Sequence, residues 1–177
     1  MRALVVACAV VAAGCGAYAQ AAGTVGTVSF VNEGIVNAPI EDVWRVWSTS
    51  DGYKAVGVAL AEVDLRVGGF IRSRYGPDGR LGDEQTIENE ILAFEPPRMI
   101  AIRIHQTPAS FPFKEAWKQT WTVVTLTPLD GGRTHVRAAS LGFGADPESL
   151  AKRRFFERGN DQTLKAVASY FDSRRGQ

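Results

Sequence analysis

Residues 147–174 read PESLAKRRFFERGNDQTLKAVASYFDSR, and their pattern decides the fold. Beyond its first residue the stretch holds no proline, and its apolar residues recur with a 3.6-residue period, which predicts one long helix. Phe156, Thr163, Leu164, Val167, Tyr170 and Phe171 fall on one stripe of that helix, with Gly159 and Asn160 inside it. Asp146 stands where an N-cap belongs, its carboxylate able to accept from the first free N–H groups. A stripe of this length needs a broad apolar surface to cover, and the rest of the chain has to supply it.

Working back from the helix, that surface reads as an antiparallel sheet. Thr134 to Phe143 and Trp117 to Thr127 form a hairpin joined through Leu129-Asp130-Gly131-Gly132. Met99 to Gln106, Thr86 to Phe94, Phe70 to Tyr75 and Leu60 to Leu65 are further strands. Glu95-Pro96-Pro97, Gly76-Pro77-Asp78-Gly79 and Gly68-Gly69 mark the turns between them. Further upstream, Ser48 to Gly57 reads as a break followed by a short helix. Ile40, Val43, Trp44 and Trp47 share one face of another helix, opened by Pro39, since the first helical position tolerates a missing N–H. Thr27 to Asn37 is the first strand. The order predicts an α+β fold: a curved antiparallel sheet of about seven strands around a long C-terminal helix, with two short helices after the first strand.

Alternation assigns the two faces of the sheet. Arg72 and Arg74, Glu88 and Glu90, and Arg103 and His105 share one parity, making a solvated face on which opposite charges pair across strands. The opposite parity carries Ile71, Ser73 and Tyr75, then Ile87, Asn89 and Ile91, then Ile100, Ile102 and Ile104, and this face meets the helix. Gly159 leaves the junction open to two readings. One is a close contact of helix on sheet with Asn160 bonded to backbone; the other is a cavity with Asn160 facing into it. Ser73, Tyr75, Asn89 and Gln119 would give such a cavity the few neutral polar groups that apolar binding sites carry.

The N-terminus carries a different message. Arg2, the apolar run Leu4 to Ala13 and the small-x-small triplet Ala17-Tyr18-Ala19 have the order of a secretory signal peptide over residues 1–19. That run is too short to span a bilayer, which takes about 20 apolar residues, and the mature chain is expected to hold no transmembrane span. Cleavage would leave 20–26 as a flexible lead and 27–177 as one domain working in the periplasm or outside the cell. Ala12-Ala13-Gly14-Cys15 supplies the competing reading, a lipobox-like motif that would make Cys15 a lipid anchor.

Composition narrows the chemistry. Both cysteines, Cys8 and Cys15, lie in the segment to be removed, so disulfides and thiol nucleophiles drop out of the mature domain. About 155 residues remain, enough for one domain with a real core. The chain holds 20 Lys+Arg against 19 Asp+Glu, and losing Arg2 balances them. With no basic run, nucleic acid is excluded as a partner. His105 and His135 are the only histidines, and neither has a ligand neighbour at metal spacing, so no metal is expected. No phosphate-cradling loop or nucleotide fingerprint is present, so no cofactor is expected either.

Four phrases resemble a known family. They are Ile35-Val36-Asn37-Ala38-Pro39-Ile40-Glu41-Asp42-Val43-Trp44, Asp64-Leu65-Arg66-Val67-Gly68-Gly69-Phe70, the hairpin Trp121 to Thr134 through Asp130-Gly131-Gly132, and Gly159-Asn160 with Thr163-Leu164-Lys165. Together they resemble the START-like or SRPBCC superfamily, the helix-grip fold, and within it the bacterial relatives of chaperone-ATPase-activator homologues and polyketide cyclases. The likeness spans about residues 28 to 173. It implies a helix-grip domain whose cavity takes hydrophobic small molecules such as lipids, sterols, polyketides or quinones, with cyclisation, dehydration or aldol-type chemistry in a minority. It carries no shared catalytic motif, and fold alone supplies none. Export would also separate this chain from a co-activator of a cytosolic chaperone.

The expected function is an exported binding protein for an apolar or weakly polar ligand, a lipid, polyketide or aromatic compound, held between sheet and helix. The candidate lining is Trp47, Tyr75, Asn89, Ile91, Ile102, Trp117, Trp121, Phe156, Asn160, Thr163 and Val167. The alternatives are a cyclase- or dehydratase-like enzyme using polar cavity residues, and a protein-interaction module. For catalysis the residues offer no constellation: His105 falls on the charged parity, and Tyr53, Tyr75 and Tyr170 stand as isolated phenols. The loop Thr107 to Phe113, with Phe111 and Phe113 around Pro112, reads equally as a lid over the cavity mouth or as a partner site.

Overall fold

The computed structural model describes residues 28–113 and 119–175. The expected signal peptide, the lead, the anchor at Cys15 and Trp117 lie outside the described residues. The chain runs β1 (Val28–Val36), α1 (Ile40–Ser48), α2 (Ser50–Ala55), β2 (Leu60–Val63), β3 (Phe70–Arg74), β4 (Ile87–Glu95), β5 (Met99–Gln106), β6 (Trp121–Leu129), β7 (Arg133–Phe143) and α3 (Pro147–Asp172). The strands form one seven-stranded sheet in the order β1-β7-β6-β5-β4-β3-β2, antiparallel throughout. This is the α+β arrangement that the order of patterns predicts, and the helix-grip fold that the resemblance implies. α3 starts where expected, with the Asp146 carboxylate accepting from Ser149 N–H at 2.9 Å.

The core lies where α1 and the C-terminal half of α3 meet the sheet. α1 buries Ile40, Val43, Trp44, Val46 and Trp47 on one side, and these join Ile71, Ile91, Ile100, Val124, Leu126, Val136 and Val167. The start of α1 is pinned to β7 by a buried bond, Thr134 Oγ1 donating to the Ala38 carbonyl at 2.7 Å. Replacing Thr134 with valine keeps the volume and orphans that carbonyl, an expected loss of about 1–3 kcal/mol in urea denaturation. The opposite face of the sheet carries ion pairs, Arg72 to Glu88 and Glu62, and Arg103 to Glu90, as cross-strand register dictates.

β7 breaks its alternation once. Val28 opposes Phe143 and Phe30 opposes Ser140, so Leu141 and Gly142 form a bulge, with Gly142 at φ +83°. The bulge turns Phe143 inward, where it is buried against Phe30 at a ring separation of 5.4 Å.

Candidate functional site

α3 does not cover the whole inner face. It lies along β1 and β7, held by Asn32 Nδ2 on the Glu157 carbonyl at 3.1 Å and Asn160 Nδ2 on Ser140 Oγ at 3.1 Å. Beyond β7, the inner-face residues Thr122, Ile102, Ile104 and Asn89 remain half-buried. On the flank of α3 turned away from β1, a Cβ placed on Gly159 would meet no atom of the described residues within 4 Å. The helix and the strands β4 to β6 therefore flank a half-buried strip of the inner face, a shallow groove on which Ile102 and Ile104 lie.

Gly159 is thus not the point of a close helix–sheet contact. With open space at that position, Gly159→Ala removes backbone entropy without a clash and is expected to raise stability by about 0.5–1 kcal/mol. A melting curve checks it; a fall in Tm would mean that the helix lies closer to the sheet.

The groove carries a short polar chain. Asn160 Nδ2 donates to Ser140 Oγ, which shares a 3.0 Å hydrogen bond with Thr122 Oγ1. Ser140 is buried, whereas Asn160 and Thr122 keep some surface. These neutral groups can orient a carbonyl or hydroxyl on an otherwise apolar ligand. Toward the N-terminal end of α3 lies Lys152, fully buried, its Nζ 2.8 Å from Thr120 Oγ1. Burial draws its ammonium down to about 7, with Glu148 working in the opposite direction. Tyr53 of α2 packs on the core, and its phenol is pushed well up by burial, with the phenol of Tyr75 adding to the rise.

The loop 107–113 bridges one end of this region. Phe111 is buried among Phe113, Phe155 and Phe156, at ring separations of 5.4, 5.6 and 5.9 Å. On its other side Ala109 N–H donates to the Glu84 carbonyl at 2.8 Å, and Ser110 Oγ to Gln85 Oε1 at 3.4 Å. The β3–β4 loop that receives these bonds is itself organised on Asp83, which pairs with Arg74 and accepts from Gln85 N–H and Thr86 Oγ1. The loop is therefore a strap from the sheet's outer strands to α3.

Of the expected lining residues, the structure brings Asn89, Ile102, Phe156 and Asn160 to the inner face or to the helix above it. It corrects six others. Trp47, Ile91 and Val167 are buried in the core under α1 and have no surface to offer a ligand. Tyr75 lies past the end of β3 and is 66% exposed. Trp121 pairs with Arg103 and Leu141, which places it on the charged face of the sheet, 38% exposed. Thr163 is exposed, its hydroxyl donating to the Gly159 carbonyl at 3.0 Å.

Sequence reasoning missed Thr122, Ser140 and Lys152. Carrying strict alternation through β6 and β7 finds the first two, which oppose each other in register. Lys152 sits four residues before Phe156 on the inward stripe, but its charge makes it read as solvated. Neither histidine reaches the groove: His105 stacks edge-on against Phe70 at 5.0 Å, and His135 faces Glu33 at 3.5 Å. Among the described residues no three His, Cys, Asp or Glu side chains group as metal ligands, and no helix is long and apolar enough to cross a membrane. A separate recess of about 520 Å³ opens between α1, α2 and the end of α3. Its charges are partly engaged with one another, Arg45 with Asp42 at 3.1 Å and Arg174 over the Tyr170 ring at 4.3 Å.

With this geometry in place, comparison with known proteins is direct. The family described as Activator of Hsp90 ATPase homolog 1-like protein is matched over residues 37–172. Among solved structures, a protein of Mesorhizobium loti is similar with a TM-score of 0.64 at 19% identity, over 82% of this chain and 98% of that one. A protein of Nitrosospira multiformis gives a TM-score of 0.65 at 14% identity, over 85% and 100%. The Aha1 dimer of Colwellia psychrerythraea gives 0.59 at 14% identity, over 81% and 96%. At these identities the likeness is one of fold. No curated protein matches the chain.

Proposed function

The chain belongs to the Activator of Hsp90 ATPase homolog 1-like protein family, and from that premise we propose that it is an exported protein holding an apolar or weakly polar small molecule in the groove beside α3. The observation that carries the reading is the uncovered inner face beside Gly159, floored by Ile102 and Ile104 and marked by the Thr122–Ser140–Asn160 chain. A half-buried apolar strip bounded by a few neutral hydrogen-bonding groups matches a lipid, polyketide or aromatic ligand better than a charged one. The N-terminal signal pattern supports export, and the strap 107–113 stands as a lid over one end of the groove.

Native mass spectrometry of the protein purified from its own compartment tests both parts. A small molecule retained natively and lost on denaturation supports binding. A polypeptide mass beginning at Gln20 supports export, while an acylated Cys15 would put the protein on a membrane instead. Gly159→Trp, which places an indole in the open space, is expected to weaken binding of the fluorescent probe N-phenyl-1-naphthylamine by about tenfold or more. An unchanged affinity would move the ligand out of this groove.

A further inference from the structure

The two edges of the sheet are built differently. β2 closes one side with four residues, whereas β1 closes the other with nine, Val28–Val36. Among the described residues β7 is the one strand paired with β1, and no other described backbone group bonds to residues 28–36. A row of outward N–H and C=O groups along β1 is therefore open to pairing. The usual safeguards of a free edge are missing: the strand holds no proline and no lysine, and Glu33 is its one charge. α3 lies over the inner face of β1 without closing the edge, since a recess of about 190 Å³ opens along Glu33–Val36 against Leu164, Lys165 and Ala168. On the outer face Val31 and Ile35 are 43% and 50% exposed. Between them Glu33 stands in register with Arg137, which makes no ion pair among the described residues, while Glu33 itself reaches His135 at 3.5 Å.

We propose that β1 pairs with the β1 of a second copy of this chain, antiparallel about a two-fold axis at Glu33, so that two sheets join into one. The occupant follows from what the strand carries. An axis at Glu33 sets Val31 on the partner's Ile35 and Ile35 on the partner's Val31, which covers the exposed apolar side chains of both copies. Registers centred on Asn32 or Gly34 would set Val31 or Ile35 against the partner's Glu33 instead. Those centred on Val31 or Ile35 would leave one of the two apolar residues beyond the end of the partner strand. Opposed Glu33 side chains repel by themselves, but each copy brings Arg137 beside its own Glu33 in register. Two carboxylates and two guanidinium groups make a neutral cluster, and a strongly charged partner would upset that balance. On the inner side Gly34 falls opposite the partner's Asn32. A Cβ on Gly34 would meet no atom of the described residues within 4 Å, so there is room for that amide.

Sedimentation equilibrium of the whole protein over roughly 1 µM to 1 mM tests the pairing. The expected result is a reversible monomer–dimer equilibrium whose dissociation constant rises by about tenfold or more in Ile35→Lys, because the two-fold axis makes each substitution count twice. Circular dichroism of the variant should stay native, since half of the Ile35 side chain already faces water. Cysteine variants fix the register, with peptide mass spectrometry identifying the linked positions so that Cys8 and Cys15 are told apart from them. Glu33→Cys is expected to oxidise to a linked dimer, because directly opposed Cβ atoms stand about 4.5–5.5 Å apart. Val31→Cys alone is expected not to link, its counterpart lying four residues, roughly 13 Å, further along the strand. A mixture of Val31→Cys with Ile35→Cys is expected to link. Protein that stays monomeric across the whole range overturns the proposal. So does a dimer that Ile35→Lys leaves unchanged or in which Glu33→Cys fails to link, since the contact then lies elsewhere. An extended peptide retained in native mass spectrometry, with β1 amides protected from hydrogen exchange in monomeric protein, would give the edge a different occupant and overturn the second copy. None of these outcomes bears on the groove, whose ligand is tested separately.

Discussion

Gly142→Ala is expected to destabilise the protein by about 3–5 kcal/mol, well beyond a usual glycine replacement. Two penalties coincide at this position. The backbone is at φ +83°, a region that costs an L-residue about 1 kcal/mol or more. A Cβ there would also stand 2.0 Å from the Gln119 carbonyl oxygen and 2.9 Å from the Trp121 ring, and the first of these is backbone that cannot swing aside. The bulge would have to open, and Phe143 would lose its place beside Phe30 and Lys152. Gly131→Ala is the control. It shares a left-handed φ of +74°, but the nearest atom to its Cβ is the Arg133 Nε at 4.0 Å, so only the backbone term applies and the loss should stay near 1 kcal/mol. Urea denaturation of the two variants separates strain from clash; equal losses would show that the bulge gives way without resistance.

That same bulge shows where sequence stops being informative. The strands and α3 are legible because their periods of 2 and 3.6 run over many residues, and the turns because Gly and Pro punctuate them. A single glycine near a strand end carries no period, yet Gly142 reverses the facing of Phe143 and helps to build the surroundings of Lys152. Tyr75 fails for a related reason: it lies one residue beyond β3, where alternation no longer directs a side chain. Trp47, Ile91 and Val167 are apolar and face inward as their patterns require. Whether such a residue becomes core or groove floor depends on where α1 lands, and that is a tertiary fact with no local signature. Trp121 and Thr163 show the hazard of reading residue type ahead of register. An aromatic on the charged parity stays on the charged face, and a threonine at the border of the stripe turns to its own helix backbone. Asn160 follows a general rule, because an amide inside an apolar stripe has to find a partner, and here that partner is the Ser140 hydroxyl and not the backbone.

The stability of the wild-type protein is expected to rise between pH 7 and pH 9.5, and Lys152→Met is expected to flatten that rise. Unfolded, the Lys152 amine titrates at its ordinary 10.5; folded, burial draws it to about 7. Between those values the unfolded chain binds more protons than the folded one, so unfolding becomes less favourable as protons are withdrawn. The penalty of burying the ammonium is complete below pH 7 and fades as pH climbs toward 10.5. Each unit of separation is worth about 1.4 kcal/mol, and the rise across the window should be on the order of 3 kcal/mol. The phenols of Tyr53 and Tyr75 are both shifted upward and act in the opposite sense, but only above pH 10, outside the window. Methionine keeps the aliphatic volume between Phe143 and Phe156 and carries no proton, so the variant should be the more stable protein at pH 7, the gap closing toward pH 9.5. Denaturation midpoints of both proteins at half-unit steps decide it. Parallel curves would mean that the Lys152 ammonium is as well stabilised in the folded chain as in the unfolded one.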